Sequence, residues 1–302
     1  MEDKELSYEN IRNEITKLKR SKSSQLSLVW SRFKKNRLAL VGFVIVSIVI
    51  FIAIFAPVLT PYDPFDTDPF NRLKPPSWEH WIGTDAMGRD VLTRLFYGAR
   101  IALMIGVLIV LFEGAIGIIL GIISGFFGGF VDTIIMRVVD VLRSFPVIIL
   151  AMAIAGIMGQ GIYNVVIALG LVGWTTYARM VRSKILTIKN SDYVEAAYSV
   201  GESRFSVVLR YIMPNAIPTA IIMICIMMPT ALIASATLSF LGVGVQPPTP
   251  SWGSMISAGR DYLIMAPWIS TSAGIFIMVT VLGFNFIGDG LRDALDPTTK
   301  RN

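Results

Sequence analysis

The sequence predicts an all-α polytopic membrane protein, with six transmembrane helices and one long polar loop on the cytoplasmic side. Three observations predict it. Of the 302 residues 54% are hydrophobic and only 16% charged, with a mean hydropathy of +0.63, beyond the apolar share and below the charged share of soluble domains. Six apolar runs are each long enough to cross a bilayer core as a helix, which takes about 20 residues. The basic residues, finally, divide unequally between alternate connections, as they do when orientation follows the positive-inside rule.

Residues 1–37 form a polar, basic amino-terminal segment in which Ile11, Ile15 and Leu18 recur at helical spacing, which predicts a short amphipathic helix on the membrane surface. The first span is expected over 38–59. Its charged leader is too long, and no small-residue cleavage site follows, for it to be a removed signal peptide. Pro57, Pro61 and Pro64 end it and open a loop over 60–100, rich in Pro, Trp and Asp, that is placed outside the cell. Further spans are expected near 101–123, 134–158, 162–184, 216–241 and 268–289, with a cytoplasmic loop over 185–215. Residues 38–302 then form one membrane domain, in which we find no internal repeat, low-complexity tract or separate soluble domain.

With the amino terminus inside, six spans return the carboxyl terminus inside. The inner side then holds ten basic residues of the leader, Arg137 and Arg143, six from Arg179 to Arg210 and three from Arg292 onward, 21 in all, against six outside: Arg72, Lys74, Arg89, Arg94, Arg100 and Arg260. This bias places 191–214 in the cytoplasm. It also accounts for the net charge of +6, so the expected anionic partner is membrane lipid and not nucleic acid. Cys225 and His80 are each the sole residue of their type, which excludes disulfide frameworks and His/Cys metal sites within one chain.

The polar island from Ser191 to Pro214 has helix signals at both ends. Ser191 or Asp192 caps a start, Ala196 and Ala197 favour the helix, Gly201 ends or bends it, and Pro214 closes the segment. Two short helices joined at a glycine are predicted. A short rigid helix with small Ala residues suits a cleft in a partner, whereas an amphipathic cytoplasmic loop without a partner fits the same residues.

Gly83-Thr84-Asp85-Ala86-Met87-Gly88-Arg89-Asp90 alternates glycines with acidic oxygens, yet it lacks the Lys-Ser/Thr of a phosphate loop and the acidic ladder of a calcium loop. Two readings remain: a turn whose Thr84 or Asp85 caps the next helix while Arg89 and Asp90 pair, or an external gating or partner-contact element. Glu113 falls inside the second span, where an unpaired carboxylate is costly. It faces a translocation cavity, pairs with a second subunit or sits in a wetted crevice. Arg137 and Asp140, three apart on a helix, are expected to brace one another. Gly114, Gly117, Gly121 and Gly125 suit close helix contact, as they would in any polytopic bundle.

Glu195-Ala196-Ala197, Gly201 and Pro214, with thirteen residues from Gly201 to Pro214, resemble the docking loop of bacterial ABC importer permeases, although Met213 stands where that pattern prefers Leu. Pro75-Pro76-Ser77, Gly83 to Asp90, Phe127-Gly128-Gly129, Asp132, Leu238 to Gly242, Pro247 to Gly253 and Gly288 to Pro297 follow in order. Together they look like the oligopeptide and dipeptide ABC permease family from about residue 30 to 297. Ser235-Ala236-Thr237 departs from it, the family usually showing Glu-Ala-Ser there.

The resemblance implies the type I importer permease fold, and a subunit that pairs with a second, related permease, two cytoplasmic ATPases and an external solute-binding protein. It implies ATPase coupling through Asp192, Tyr193, Glu195, Ala196, Ala197, Gly201 and Pro214, and carriage of dipeptides, longer peptides or nickel chelates. The chain has no Gly-Lys dipeptide and so no Walker A loop. ATP and Mg are therefore expected on the partner subunits, with no catalytic residue or metal site here. A proton- or sodium-driven carrier would share the six spans and a buried acid, but it would need ionisable relays or paired broken helices. An intramembrane hydrolase would need a His or Cys constellation or paired midspan Asp residues, which the sequence lacks.

Overall fold

The computed structural model describes residues 30–295, and the side chains of all of these except 215–221 and 295. The amphipathic helix expected over Ile11, Ile15 and Leu18 lies outside the described residues. Among them the structure is helical, with α1 at Arg37–Leu59, α2 at Val91–Phe127, α3 at Gly129–Arg143, α4 at Val147–Met158, α5 at Ile162–Lys189, α6 at Asp192–Ser199, α7 at Arg204–Val207, α8 at Met213–Phe240, α9 at Trp252–Gly259 and α10 at Trp268–Leu295. Five of these, α1, α2, α5, α8 and α10, are long and apolar enough to cross a membrane. A sixth crossing exists if α3 and α4 count together as one bent span.

The first span shows how an apolar sequence chooses its buried face. Asn36 caps α1, its Oδ1 accepting from the Leu38 and Ala39 amides. The helix is hydrophobic on all sides, and the buried stripe is Ala39, Gly42, Val46, Val49, Ala53 and Ala56, at three- and four-residue steps. Leu38, Val44, Phe51, Ile54 and Val58 stay exposed. In lipid the bulky residues gain nothing by turning inward, so the small ones select the contact. Gly42 lies against the backbone of Gly283 in α10, and Gly283 lies against Ile45 and Val46 in return.

The same rule builds the centre. Gly117, Gly121 and Gly125 of α2 form a ridgeless strip against α5, where a Cβ on Gly121 would stand 2.8 Å from the Ala178 carbonyl oxygen and one on Gly125 2.8 Å from Cβ of Ile185. Toward the other end of α2, Gly98 meets the Trp252 ring and Gly106 meets Met228 and Leu232. The main core, with Ile105, Ile109, Val165, Leu169, Leu232 and Leu238, joins α2, α5 and α8.

The expected span over 134–158 is corrected. It is broken at Ser144-Phe145-Pro146, and α3 and α4 meet at an 88° bend. Pro146 cannot donate an amide and drives the residue before it out of helical geometry, while Ser144 ends α3 through its amide and hydroxyl, both on the Asp140 carbonyl at 3.0 and 2.8 Å. At about 1.5 Å per residue, the 12 residues of α4 fall well short of a bilayer core. The second span is also longer than expected, with its start at Val91.

Glycine packing supplies a direct test. Gly121→Val should separate α2 from α5 and cost about 1–3 kcal/mol as an overpacking change, read as a lowered unfolding temperature of the detergent-purified chain. Gly156→Val in α4, where nothing lies within 4 Å, should leave that temperature unchanged.

Candidate functional site

The segment after α5 begins where Lys189 reaches back to α2. Its Nζ donates to the Phe126 carbonyl at 2.8 Å and lies 5.8 Å from the centre of that ring. The chain turns at Asn190 and α6 follows, with Ser191 at its N-cap, although the Ser191 hydroxyl donates backward to the Ile188 carbonyl at 2.6 Å and caps no amide. Asp192 and Glu195 lie in the first turn, where carboxylates complement the positive helix pole. Val194 and Ala197 are buried in a cluster with Tyr177, Val181, Ile185, Val207 and Ile212. Asp192, Tyr193, Glu195 and Ala196 remain exposed. Two small contacts thus fix a short helix whose opposite face is free.

Gly201 then takes φ +83°, a left-handed conformation that side chains resist. The turn is closed by the Gly201 amide on the Tyr198 carbonyl at 3.0 Å and the Glu202 amide on Ala197 at 3.1 Å, a glycine-ended helix terminus. Ser203 caps α7 through the Ser206 amide, and Arg210 pairs with Glu202 at 3.2 Å. The second helix is not closed by Pro214 as expected. A π-turn over Val208–Ile212 carries α7 into α8, and Pro214 stands in the first turn of α8, a position that tolerates its missing amide. The loop therefore runs directly into the axis of α8. Around it Tyr193, Val200, Phe205 and Phe127 are exposed, Val200 at 81% and Phe205 at 73%.

Ion pairs brace the same end of the bundle. Arg182 of α5 grips Asp132 of α3 with two nitrogens, Nη2 at 2.6 Å, and Ser124 of α2 donates to the same carboxylate. Asp140 pairs with Arg179 of α5 at 2.6 Å, correcting the expected pair with Arg137. The fork of Arg matches a carboxylate plane, so α5 holds α2, α3 and α6 together. In the sequence Arg179 and Arg182 stand out only as topology charges, because their partners lie 39 and 50 residues away.

At the opposite end the Gly83–Asp90 element is a buried knot. Gly83 and Gly88 have φ of +77° and +78°. Asp85 accepts from the Met87 and Arg89 amides at 2.8 and 3.1 Å, and from Arg89 Nε at 2.7 Å. Arg94, 2% exposed, lies 3.6 Å from the Asp85 carboxylate and donates to the Pro64 and Pro248 carbonyls at 2.7 and 3.3 Å. The Thr84 carbonyl accepts from Trp268 Nε1 at 3.2 Å. The expected cap on Thr84 or Asp85 is corrected: Asp90 caps α2, its Oδ1 taking the Thr93 amide at 2.7 Å. Nor does Asp90 pair with Arg89, since its other oxygen lies 3.0 Å from Nδ1 of His80. Nothing in the sequence marks His80 as this partner, because its ten-residue distance from Asp90 follows no helical or turn period.

Between the two ends, Glu113 of α2 reaches across to α5 and rests against Gly173, whose missing side chain makes the room. Among the described residues no basic side chain pairs with it.

The knot predicts a loss that geometry grades. Asp90→Ala should cost about 1–3 kcal/mol through the lost cap and the bare imidazole and speed proteolysis within 60–90, whereas Asp90→Asn, which still caps, should behave close to wild type.

Comparison with known proteins places these elements. Residues 117–301 match the family of binding-protein-dependent transport system inner membrane components, and residues 24–76 match the N-terminal TM domain of oligopeptide transport permease C. The chain is 43% identical over 271 residues to the dipeptide transport system permease protein DppC of Alkalihalophilus pseudofirmus, covering 90% of this chain and 89% of the relative. It is 41% identical to the oligopeptide transport system permease protein OppC of Bacillus subtilis, over 89% of this chain and 88% of the relative. It is also 41% identical to the glutathione transport system permease protein GsiD of Escherichia coli, over 90% of each.

Proposed function

Since the chain belongs to the family of binding-protein-dependent transport system inner membrane components, a multi-pass permease subunit of bacterial ABC importers and not an enzyme, we propose that it forms the pathway for dipeptides or oligopeptides. Members of this family work with ATPase and solute-binding-protein partners. A second, homologous permease completes the pathway as a heterodimer, two cytoplasmic ATPases bind ATP and Mg, and an external binding protein delivers the peptide. The names of the relatives support peptides, glutathione being a tripeptide, over nickel chelates or another small solute.

The observation that carries the coupling role is the anchoring of α6. Val194 and Ala197 fasten it to α5, while Asp192, Tyr193, Glu195 and Ala196 face outward as a rigid insert for a partner cleft. ATP-driven closure of the ATPases presses this insert, Gly201 keeps the angle to α7, and the push passes through the π-turn and Pro214 into α8. The pathway then opens outward, and hydrolysis resets it inward. Both termini and this loop lie in the cytoplasm, with 21 basic residues against six on the two sides. The Gly83–Asp90 knot lies outside, where Gly83, Thr84, Asp85, Gly88, Arg89 and Asp90 hold the surface that the binding protein meets, with Met87, 56% exposed, at its tip.

Glu195→Ala and Gly201→Pro should each abolish peptide uptake by the reconstituted transporter while membrane insertion stays normal. Normal ATP-dependent uptake by both variants would remove the coupling role. Glu113 lines the pathway in this reading and meets the cationic group of the substrate. Glu113→Gln should lower uptake of peptides with a free amino terminus relative to their acetylated forms; an unchanged ratio would rule that role out.

A further inference from the structure

A cavity of about 230 Å³ opens to solvent beside the knot, between the end of α1, the turn at 78–81 and the first turn of α2. Tyr62, Trp78 and Trp81 line it together with Glu79 and Asp90, and no Lys or Arg is among its lining residues. The nearby guanidinium groups are engaged elsewhere, Arg89 and Arg94 both turned to Asp85 at 2.7 and 3.6 Å. His80 pairs with the far oxygen of Asp90 and packs its ring against Tyr62, with centroids 4.9 Å apart. The Tyr62 hydroxyl, which donates to the Glu79 carbonyl at 2.9 Å, is pushed above the usual phenol range by burial and then by the Glu79 and Asp90 carboxylates. The cavity is therefore aromatic and negative.

Thr93 supplies the second observation. It lines the cavity and is fully buried, yet its hydroxyl has no hydrogen-bond partner. A helical Thr ordinarily donates to the carbonyl one turn back. Here that carbonyl, on Arg89, already accepts from the Asp85 amide at 2.9 Å. A buried hydroxyl left unpaired is costly, and a ligand in this cavity would relieve it. The positive pole of α2 does not oppose a cation, because Asp90 caps it.

We propose that this cavity binds an ammonium group. The ring faces attract the cation, Glu79 and Asp90 supply the charge, and Thr93 Oγ1 offers an acceptor. Two sources carry this chemistry. One is the ethanolamine head group of a zwitterionic lipid, since the cavity begins at Leu59 and Thr60, where α1 ends and where Trp and Tyr favour the membrane interface. The other is the amino terminus of a peptide, which rests on the transport reading above.

The full chain reconstituted in nanodiscs separates them, with tryptophan emission as the readout because Trp78 and Trp81 line the site. Discs of phosphatidylglycerol alone are compared with discs containing phosphatidylethanolamine or its N-acylated form, and phosphatidylglycerol discs are titrated with trialanine or N-acetyl-trialanine. A lipid site responds to phosphatidylethanolamine and not to the N-acylated lipid; a peptide site responds to trialanine and not to the acetylated peptide. Glu79→Gln should weaken the response roughly tenfold, and Thr93→Val should weaken it further. Glu79 is exposed, so its variant tests the site even if Thr93→Val does not fold. Trp78→Phe with Trp81→Phe should remove the signal. No response in either arm, equal responses to the acylated forms, or an unchanged Glu79→Gln variant would overturn the proposal. A response to lipid would stand whatever solute the protein carries.

Discussion

The contact on which the rest of the structure depends is the close approach of α2 and α5 along Gly117, Gly121 and Gly125. Inside a bilayer, apolar area does not drive two helices together, because lipid is as apolar as leucine. What remains is the dispersion gained when backbones come near, and that requires residues without side chains at the seam. With α5 held against α2, its lower turns are placed to do three things at once. Arg182 and Arg179 take hold of α3 through Asp132 and Asp140, Lys189 closes on the end of α2, and Ile185 and Ile188 form the floor on which Val194 and Ala197 seat α6.

This arrangement separates rigid from movable parts in a way suited to transmission of force. The α6 helix is only 8 residues long and would not persist alone in water; burial of two of its residues makes it a solid body. Beyond Gly201 the chain is anchored again at Val207, buried in the same cluster, before the π-turn leads into α8. The α6 helix is thus joined on one side to α5, which is braced by ion pairs, and on the other to α8 through a locally irregular helix. Irregular turns of this kind recur where helices must yield.

The opposite end is built on another principle. There the chain leaves the apolar spans and must satisfy many polar backbone groups at once. Asp85 and Arg94 each serve two of them and Asp90 one, and the resulting knot ties residues 64–94 to Pro248 and Trp268. The charged side chains that a linear reading would assign to solvent are therefore buried: Arg94 is 2% exposed and Asp90 6%. The buried ionic groups are paired, as low-dielectric surroundings demand.

Taken by itself, the sequence determined the class of fold, the apolar runs within five long helices, the polar island at 191–214 and its turn at Gly201. Each of these depends on local pattern: an apolar run of sufficient length, a helix start beside Ala-Ala, a glycine where φ is positive. It also held the signal for the broken third span, in Pro146 and in the four charged residues of 129–143, but an apolar average over 134–158 concealed it. Tertiary structure alone decided which charges pair. Asp132 with Arg182, Asp140 with Arg179 and His80 with Asp90 join residues that no helical period relates, so their partners are fixed by how α5 lies on α3 and how the outer loop folds over α2. It likewise decided that Pro214 begins a helix and does not end one, because a π-turn can form before a proline without leaving any trace in composition. The polar island was legible as a helix; that it stands on two buried residues and runs on through a π-turn into α8 is a property of packing.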